Sequence, residues 1–353
     1  MTAPRLEFDL NKIHHNARTL VNRLALRGIS VTGVTKATMG SPEIAGAMLQ
    51  AGVRTLGDSR IKNIETMRGA SLTGSMMLLR SPMISQASQV VRHADLSCNT
   101  EINVIKALSL AALEAQKKHE IVLMVELGDL REGIMPDTLL NTVDEVLRLP
   151  NINIKGIGAN LACRCGVTPD SRNMAELSDL ADAIEASFDL TLEMVSGGNS
   201  ANLQWALNGA ETRRVNDLRL GESILLGRET LHRQPISGLH TDAIKLTAEV
   251  IESKIKPSKP WGKIAQTAFG ETGGLGDRGL ITQNILAMGR QDVDPDGLQP
   301  PPGVKILGAS SDHLMLEMMR RGHPVGSEVS FQPNYSALLY AMTSPFVMKS
   351  YGI

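Results

Sequence analysis

The sequence predicts an α/β chain, a (β/α)8 barrel of the TIM type over residues 1–232 followed by a mostly-β domain over residues 233–353. Three observations predict it. Between residue 30 and about residue 226, short apolar runs alternate with amphipathic stretches, and repeated βα units imply a parallel sheet with helices outside. About eight such units fit this length, which suits one closed barrel. Beyond residue 232 the helical period fades, and Gly and Pro separate strand-like runs. No fixed-period repeat is present, which argues against a solenoid.

The elements follow in order. Leu6 to Leu10 reads as a first strand that precedes the first barrel helix, so residues 1–10 are free to pair with the C-terminal domain. After Asn11, the residues Ile13, Ala17, Leu20, Val21 and Leu24 share one face at a period near 3.6. Strands are then expected at 30–34, 55–57, 75–79, 95–98, 121–127, 154–160, 192–195 and 217–226. Helical stretches lie between them, among them 42–51, 102–115, 138–148 and 174–187. The later strands are expected at 244–251, 281–288, 304–307, 314–318 and 328–331, with turns at 294–297 and 300–303.

Composition narrows the function classes. A formal net charge of −1 gives no reason to expect nucleic acid or an anionic membrane surface as a partner. No run of 18 apolar residues and no charged-then-apolar N-terminal segment is present, so neither a membrane span nor a secretory signal is expected. Cys98, Cys163 and Cys165 form an odd, sparse set that suits a reducing cytoplasm. Cys163 and Cys165 lie two apart, which is not a zinc spacing, and no metal site is expected. The 17 Met residues need no more than a core-filling role.

Lys36 ends the uncharged run from Ile29 to Thr35. Strands tend to exclude Lys, and burying its charge is costly. A neutral, nucleophilic amine of the Schiff-base type resolves that cost; so does a strand-end Lys that snorkels to water. In barrels, phosphate commonly binds at the loops after the seventh and eighth strands. Ser196-Gly197-Gly198-Asn199-Ser200 follows the seventh strand, and Arg219-Leu220-Gly221-Glu222-Ser223 belongs to the eighth. Glycine lets backbone N–H groups approach an anion, and Ser and Asn add donors. Lys36 ends the neighbouring strand around the ring.

With these motifs in place, the chain resembles the pyridoxal phosphate enzymes of fold type III, the alanine/ornithine racemase family in particular. The likeness rests on Lys36 with its strand, on Gly156 to Leu161, on Ser196 to Ser200 and on Arg219 to Gly227. Val125 to Gly133, Gly57 to Arg60, Gly289 to Asp292 and Gly308 to His313 are similar to bacterial ornithine racemase. The resemblance implies an amino-acid racemase that removes and returns an α-proton, acting on ornithine or another basic amino acid. It implies pyridoxal 5'-phosphate held by Lys36 as a Schiff base, with Asn199, Ser200, Gly221, Glu222 and Tyr335 around the phosphate. Arg219 would face the pyridine nitrogen and, because Arg keeps its protons, leave that nitrogen unprotonated. Such a ring is a weaker electron sink, which limits side reactions. Arg131 and Ser311 would contact the substrate, the guanidinium suiting its carboxylate. A purely structural network among Arg131, Glu126, Asp129 and Glu132 is the rival reading. Asp129, Glu132 or Asp312 would receive a side-chain ammonium. A homodimer is expected.

The chain also departs from the alanine racemase pattern. The stretch from Trp261 to Thr267, where that family carries a catalytic Tyr, has none. Gly40 stands where those enzymes carry a further Tyr, four residues after the Lys, and Arg164 and Cys165 replace Tyr and Gly of the ornithine-type stretch. His313 and Asp312 are the candidates for the second acid/base, with Cys163 and Cys165 behind them. Two other functions compete with this one: a pyridoxal phosphate carrier, which the long β domain speaks against, and a lyase resembling D-threonine aldolase, which would need a metal site.

Overall fold

The structure is a computed structural model that describes residues 4–270, 276–319 and 322–352. The chain divides into two compact units: one runs from Leu10 to Thr241, and the other combines the residues up to Asp9 with those from Asp242 onward.

The first unit is a closed barrel of eight parallel strands. They are β2 (Ser30–Val34), β3 (Thr55–Asp58), β4 (Ser75–Leu78), β5 (Leu96–Asn99), β6 (His119–Val125), β7 (Ile152–Ala159), β8 (Met194–Ser196) and β9 (Asp217–Leu220). β2 closes the ring on β9, with Thr32 opposite Arg219. Both faces of such a sheet are covered, so the strands read as apolar runs rather than alternations. Met77, Leu96, Cys98, Val122 and Met124 form a core cluster among β4, β5 and β6. Burial pushes the Cys98 thiol up to about 11. Helices α1 (Leu10–Ala25), α2 (Pro42–Gln50), α3 (Ile61–Gly69), α4 (Ala87–His93), α5 (Ile102–Glu114), α6 (Leu139–Leu147), α7 (Ser171–Phe188), α8 (Leu203–Leu207) and α9 (Glu222–Leu226) complete this unit. α7 starts at a full capping box, in which Asp170 accepts from Arg172 and Asn173 N–H at 2.9 Å. α1 buries Ile13, Asn16, Ala17, Leu20 and Leu24. Its Asn16 bonds the backbone of His240 in both directions, at 2.9 and 2.7 Å, so the segment up to Thr241 stays with the barrel.

The strand expected at 217–226 ends at Leu220, and residues 222–226 are the one-turn helix α9. The run Ile224, Leu225, Leu226 is buried throughout, and a three-residue apolar run is too short for periodicity to separate helix from strand.

The second unit is an antiparallel sheet in the order β12 (Leu298–Gln299), β15 (Glu328–Pro333), β10 (Ile244–Pro257), β11 (Leu280–Leu286), β14 (Leu314–Met318), β13 (Val304–Ala309). β1 (Arg5–Asp9) pairs antiparallel with β10 and parallel with β16 (Met348–Gly352). Helix α10 (Tyr335–Thr343) is capped by Asn334, which accepts from Ala337 N–H at 2.9 Å. Among the described residues, no helix is long and apolar enough to cross a membrane.

Candidate active site

In a closed parallel barrel the strand ends present their loops at one mouth. Lys36 begins a short 3-10 turn directly after β2. Its side chain reaches solvent, yet protein crowds the amine. Desolvation therefore lowers its pKa; Cys163 and Asp58 oppose this, and Arg131 and Arg219 add to it. The turn is held from β3. Thr35 Oγ1 donates to Asp58 Oδ2 at 2.8 Å, and Thr35 N–H donates to Gly57 O at 2.9 Å. Asp58 Oδ1 accepts from Arg60 N–H and from Asn63 Nδ2, both at 2.9 Å. Gly40 closes the turn at φ +66, where any Cβ would lie 2.8 Å from the Asn63 backbone. In the sequence Asp58 is one residue of the Gly57 to Arg60 motif; its place at the end of a barrel strand is the signal that singles it out.

Beside Lys36, the loops after β8 and β9 form a cup. Ser200 Oγ lies 3.0 Å from Ser223 Oγ and accepts from Ser223 N–H at 3.3 Å. Asn199 caps the turn that begins at Ser200, accepting from Ala201 N–H at 2.8 Å, and its Nδ2 donates to Leu161 O at 2.8 Å. Gly198, at φ +147, admits no side chain, since a Cβ would lie 2.2 Å from Asn202 Oδ1; at Gly221 a Cβ would lie a tight 3.1 Å from Val34 Cβ. Glu222 opens α9 and its side chain pairs with Arg233; burial pushes its carboxyl up, and Arg233 opposes this. Ser223 was not singled out from the sequence.

Arg219 is buried and engages neither Asp217 nor Glu222 directly. It donates to Ser196 Oγ at 2.5 Å and to Ala159 O at 2.6 Å. Ser196 in turn donates to Asp217 Oδ2 at 2.5 Å, and Thr32 donates to Asp217 Oδ1 at 2.8 Å. A hydroxyl thus links the two buried charges.

A third group of residues follows β6 and β7. Arg131 turns Nε and Nη2 on Glu132 and donates from Nη1 to Cys163 Sγ at 3.1 Å. Asp129 accepts backbone N–H from Cys163, Arg164, Cys165 and Val167 at 2.8–3.2 Å and so shapes the loop after β7. The expectation that Asp129 or Glu132 awaits a substrate ammonium needs correction. Asp129 is committed to four amides, and Glu132 already neutralises Arg131. The edge of Arg131 facing Glu132 is likewise not open to a substrate carboxylate, which leaves Nη1.

The remaining sequence candidates lie in the second unit. Asp312 and His313 occupy the turn from β13 to β14. Asp312 Oδ1 meets His313 Nδ1 at 2.8 Å and accepts from Ser310 and Ser311 hydroxyls at 3.2 Å. Tyr335 is the first residue of α10 and is half-buried. Among the described residues, no three His, Cys, Asp or Glu side chains gather as a metal site.

The barrel mouth fits pyridoxal phosphate on its own features. An amine of lowered pKa suits an aldehyde, and the Ser200–Ser223 hydroxyls in a glycine-lined cup suit an anion. Asn160 also has a buried Nδ2 without a hydrogen-bond partner, a donor for an incoming acceptor.

A family model described as "Alanine racemase, N-terminal domain" matches residues 8–229. Lysine racemase of Thermotoga maritima is 39% identical over 353 residues, 99% of each chain. Ornithine racemase of Acetoanaerobium sticklandii is 38% identical over 350 residues, 98% of this chain and 99% of its own. A solved alanine racemase from Streptomyces lavendulae superposes with a TM-score of 0.77 over 100% of this chain and 98% of that one, at 18% identity, a likeness of fold. With its eight-stranded barrel, separate β unit and full-length relatives, the chain belongs to the alanine racemase family.

Proposed function

We propose that this chain is a pyridoxal-phosphate-dependent racemase of a basic amino acid of the ornithine or lysine type. The observation that carries the reading is the full-length relationship to lysine and ornithine racemases, with Lys36 standing at the barrel mouth beside a hydroxyl-lined cup. When bound, pyridoxal phosphate supplies the electron sink that makes the α-proton of an amino acid removable. Lys36 would hold it, and its amine would take the α-proton when neutral and return one as the ammonium. Ser200, with the backbone of Gly221 and Glu222, would hold the phosphate; Asn199 would fix the cup; Tyr335 would add a contact from α10. Arg219, buried and permanently charged, would keep a ring nitrogen opposite it unprotonated. Arg131 Nη1 and Ser311 would contact the substrate. Racemisation needs a second proton carrier on the far face, and the sequence nominates His313, held by Asp312. A homodimer in a reducing cytoplasm is the setting we propose, which agrees with three free cysteines.

The test is chiral chromatography of L-ornithine, L-lysine, L-arginine, L-alanine and L-serine after incubation with protein and pyridoxal phosphate. A D-product from ornithine or lysine, absent with Lys36→Ala, is expected. A D-product from alanine or serine alone would keep the reaction and overturn the substrate class. No D-product from any would overturn the racemase.

A further inference from the structure

Racemisation delivers a proton to the face opposite the one that lost it, so two carriers must flank the reacting carbon. On the racemase reading above, Lys36 is one. The barrel unit itself holds an acid–base group coupled to it. Cys163 is exposed, accepts from Arg131 Nη1 at 3.1 Å, and interacts electrostatically with Lys36. Ring order places the two on different sides of the cup. Lys36 follows β2 and Cys163 follows β7, and between those strands in the closed ring lie β9 and β8, which lead to Ser223 and Ser200. A group anchored on those hydroxyls enters between the amine and the thiol. The thiol is also firmly mounted, because Asp129 accepts the N–H of Cys163 itself at 3.0 Å and those of Arg164, Cys165 and Val167 at 2.8–3.2 Å. By contrast, the Asp312 carboxylate, which meets His313, also ties down Ser310 and Ser311 of its own turn.

We propose that the thiol of Cys163, in place of the His313–Asp312 pair, is the second proton carrier, and that Arg131, which donates to its sulfur, holds it in place. In one direction the neutral amine of Lys36 takes the α-proton and becomes an ammonium. The Cys163 thiol gives its proton to the opposite face of the same carbon and becomes a thiolate. One C–H bond breaks and one forms, an N–H bond forms and an S–H bond breaks, and no oxidant is involved. Solvent returns a proton to the thiolate and accepts one from the ammonium. The other enantiomer runs the same steps with the carriers exchanged.

The experiment follows L- and D-ornithine and L- and D-lysine in D2O by proton NMR with the holoenzyme. Cys163→Ala should slow interconversion about 100-fold or more. One enantiomer should still exchange its α-proton for deuterium without inverting, because Lys36 still serves its own face. Cys163→Ser, close to isosteric, should show the same one-sided exchange and guards against a misfolded Ala variant. In His313→Gln both enantiomers should still exchange their α-proton, so that its exchange is not one-sided. Interconversion by Cys163→Ala within a few-fold of wild type, or one-sided exchange in His313→Gln, would overturn the proposal. Wild type that neither interconverts nor exchanges any of these amino acids would instead sink the racemase reading beneath it. A readout independent of turnover is iodoacetamide labelling near neutral pH with peptide mass spectrometry. Cys163 should label more slowly with pyridoxal phosphate and ornithine present than without them; no protection of Cys163 would overturn its place beside the reacting carbon.

Discussion

Asp217 in the barrel wall and Asp129 in the loop after β6 are both covered carboxylates with a full set of donors, yet their acidities move in opposite directions. Burial pushes Asp217 up, and the Ser196 hydroxyl, the Arg219 charge and the Thr32 and Ser30 hydroxyls only partly offset it. Burial also pushes Asp129 up, but four backbone amides of the loop after β7 outweigh that push and bring it down. The comparison shows that the depth of dehydration decides the sign when the hydrogen-bond count is similar. It also separates two tasks: Asp217 anchors a charge inside the barrel, and Asp129 anchors a loop.

Four measurements break or sharpen this contrast. Lys36→Ala, beside the Asp217–Arg219 wall, should cut racemisation by at least about 1000-fold while urea unfolding stays close to wild type; a small rate loss would remove Lys36 from the chemistry. Arg219→Ala leaves Asp217 with hydroxyls alone and should cost about 3 kcal/mol in urea unfolding. A cost under about 1 kcal/mol would mean that the hydroxyl bridge carries little of the charge. Asp129→Asn keeps one acceptor oxygen and loses the other, so it should cost about 1–2 kcal/mol and lower kcat/KM about tenfold through the Cys163 loop, since about 1.4 kcal/mol is a factor of ten. An unchanged kcat/KM would detach that loop from the reaction. The smallest effect is in the pH dependence. Asp129 has a lowered folded pKa, so its contribution is present above the ordinary carboxylate range and is lost as pH falls through the folded value. Asp217 has a raised one, so the penalty of its charge is relieved as pH falls through its folded value. On acidification, the stability difference between wild type and variant should therefore shrink for Asp129→Asn and grow for Asp217→Asn. Parallel trends would refute the opposed acidities.

The same contrast explains what the sequence disclosed. Lys36, Ser200 and Arg219 stand in contiguous motifs at strand ends, where chain order alone implies the barrel mouth. The eight parallel strands were legible for a similar reason, since apolar runs alternate with helical periods. The loop anchored by Asp129 was not legible, because its partners lie 34 to 38 residues away and a lone Asp carries no sign of the amides it will meet. The hold of Asp58 on Thr35, across 23 residues, was hidden in the same way. Ser196 was read as one residue of a glycine-rich loop, whereas its hydroxyl joins two charges that sequence distance kept apart. Residues 222–226 misled because the short apolar run Ile224 to Leu226 reads as the end of a strand as readily as one turn of helix.

The pairing of β1 has a consequence for synthesis. Its register partners, Thr247 to Ile244 on one edge and Met348 to Gly352 on the other, are the products of much later translation. The barrel between them can close as soon as β9 has emerged, because β2 and β9 complete the ring without β1. β1 therefore stays without these partners until residues 244–247 and 348–352 have been made. An unpaired edge invites wrong partners during that interval. Charged residues at both ends and the middle of Arg5–Asp9 (Arg5, Glu7 and Asp9) protect it while it waits.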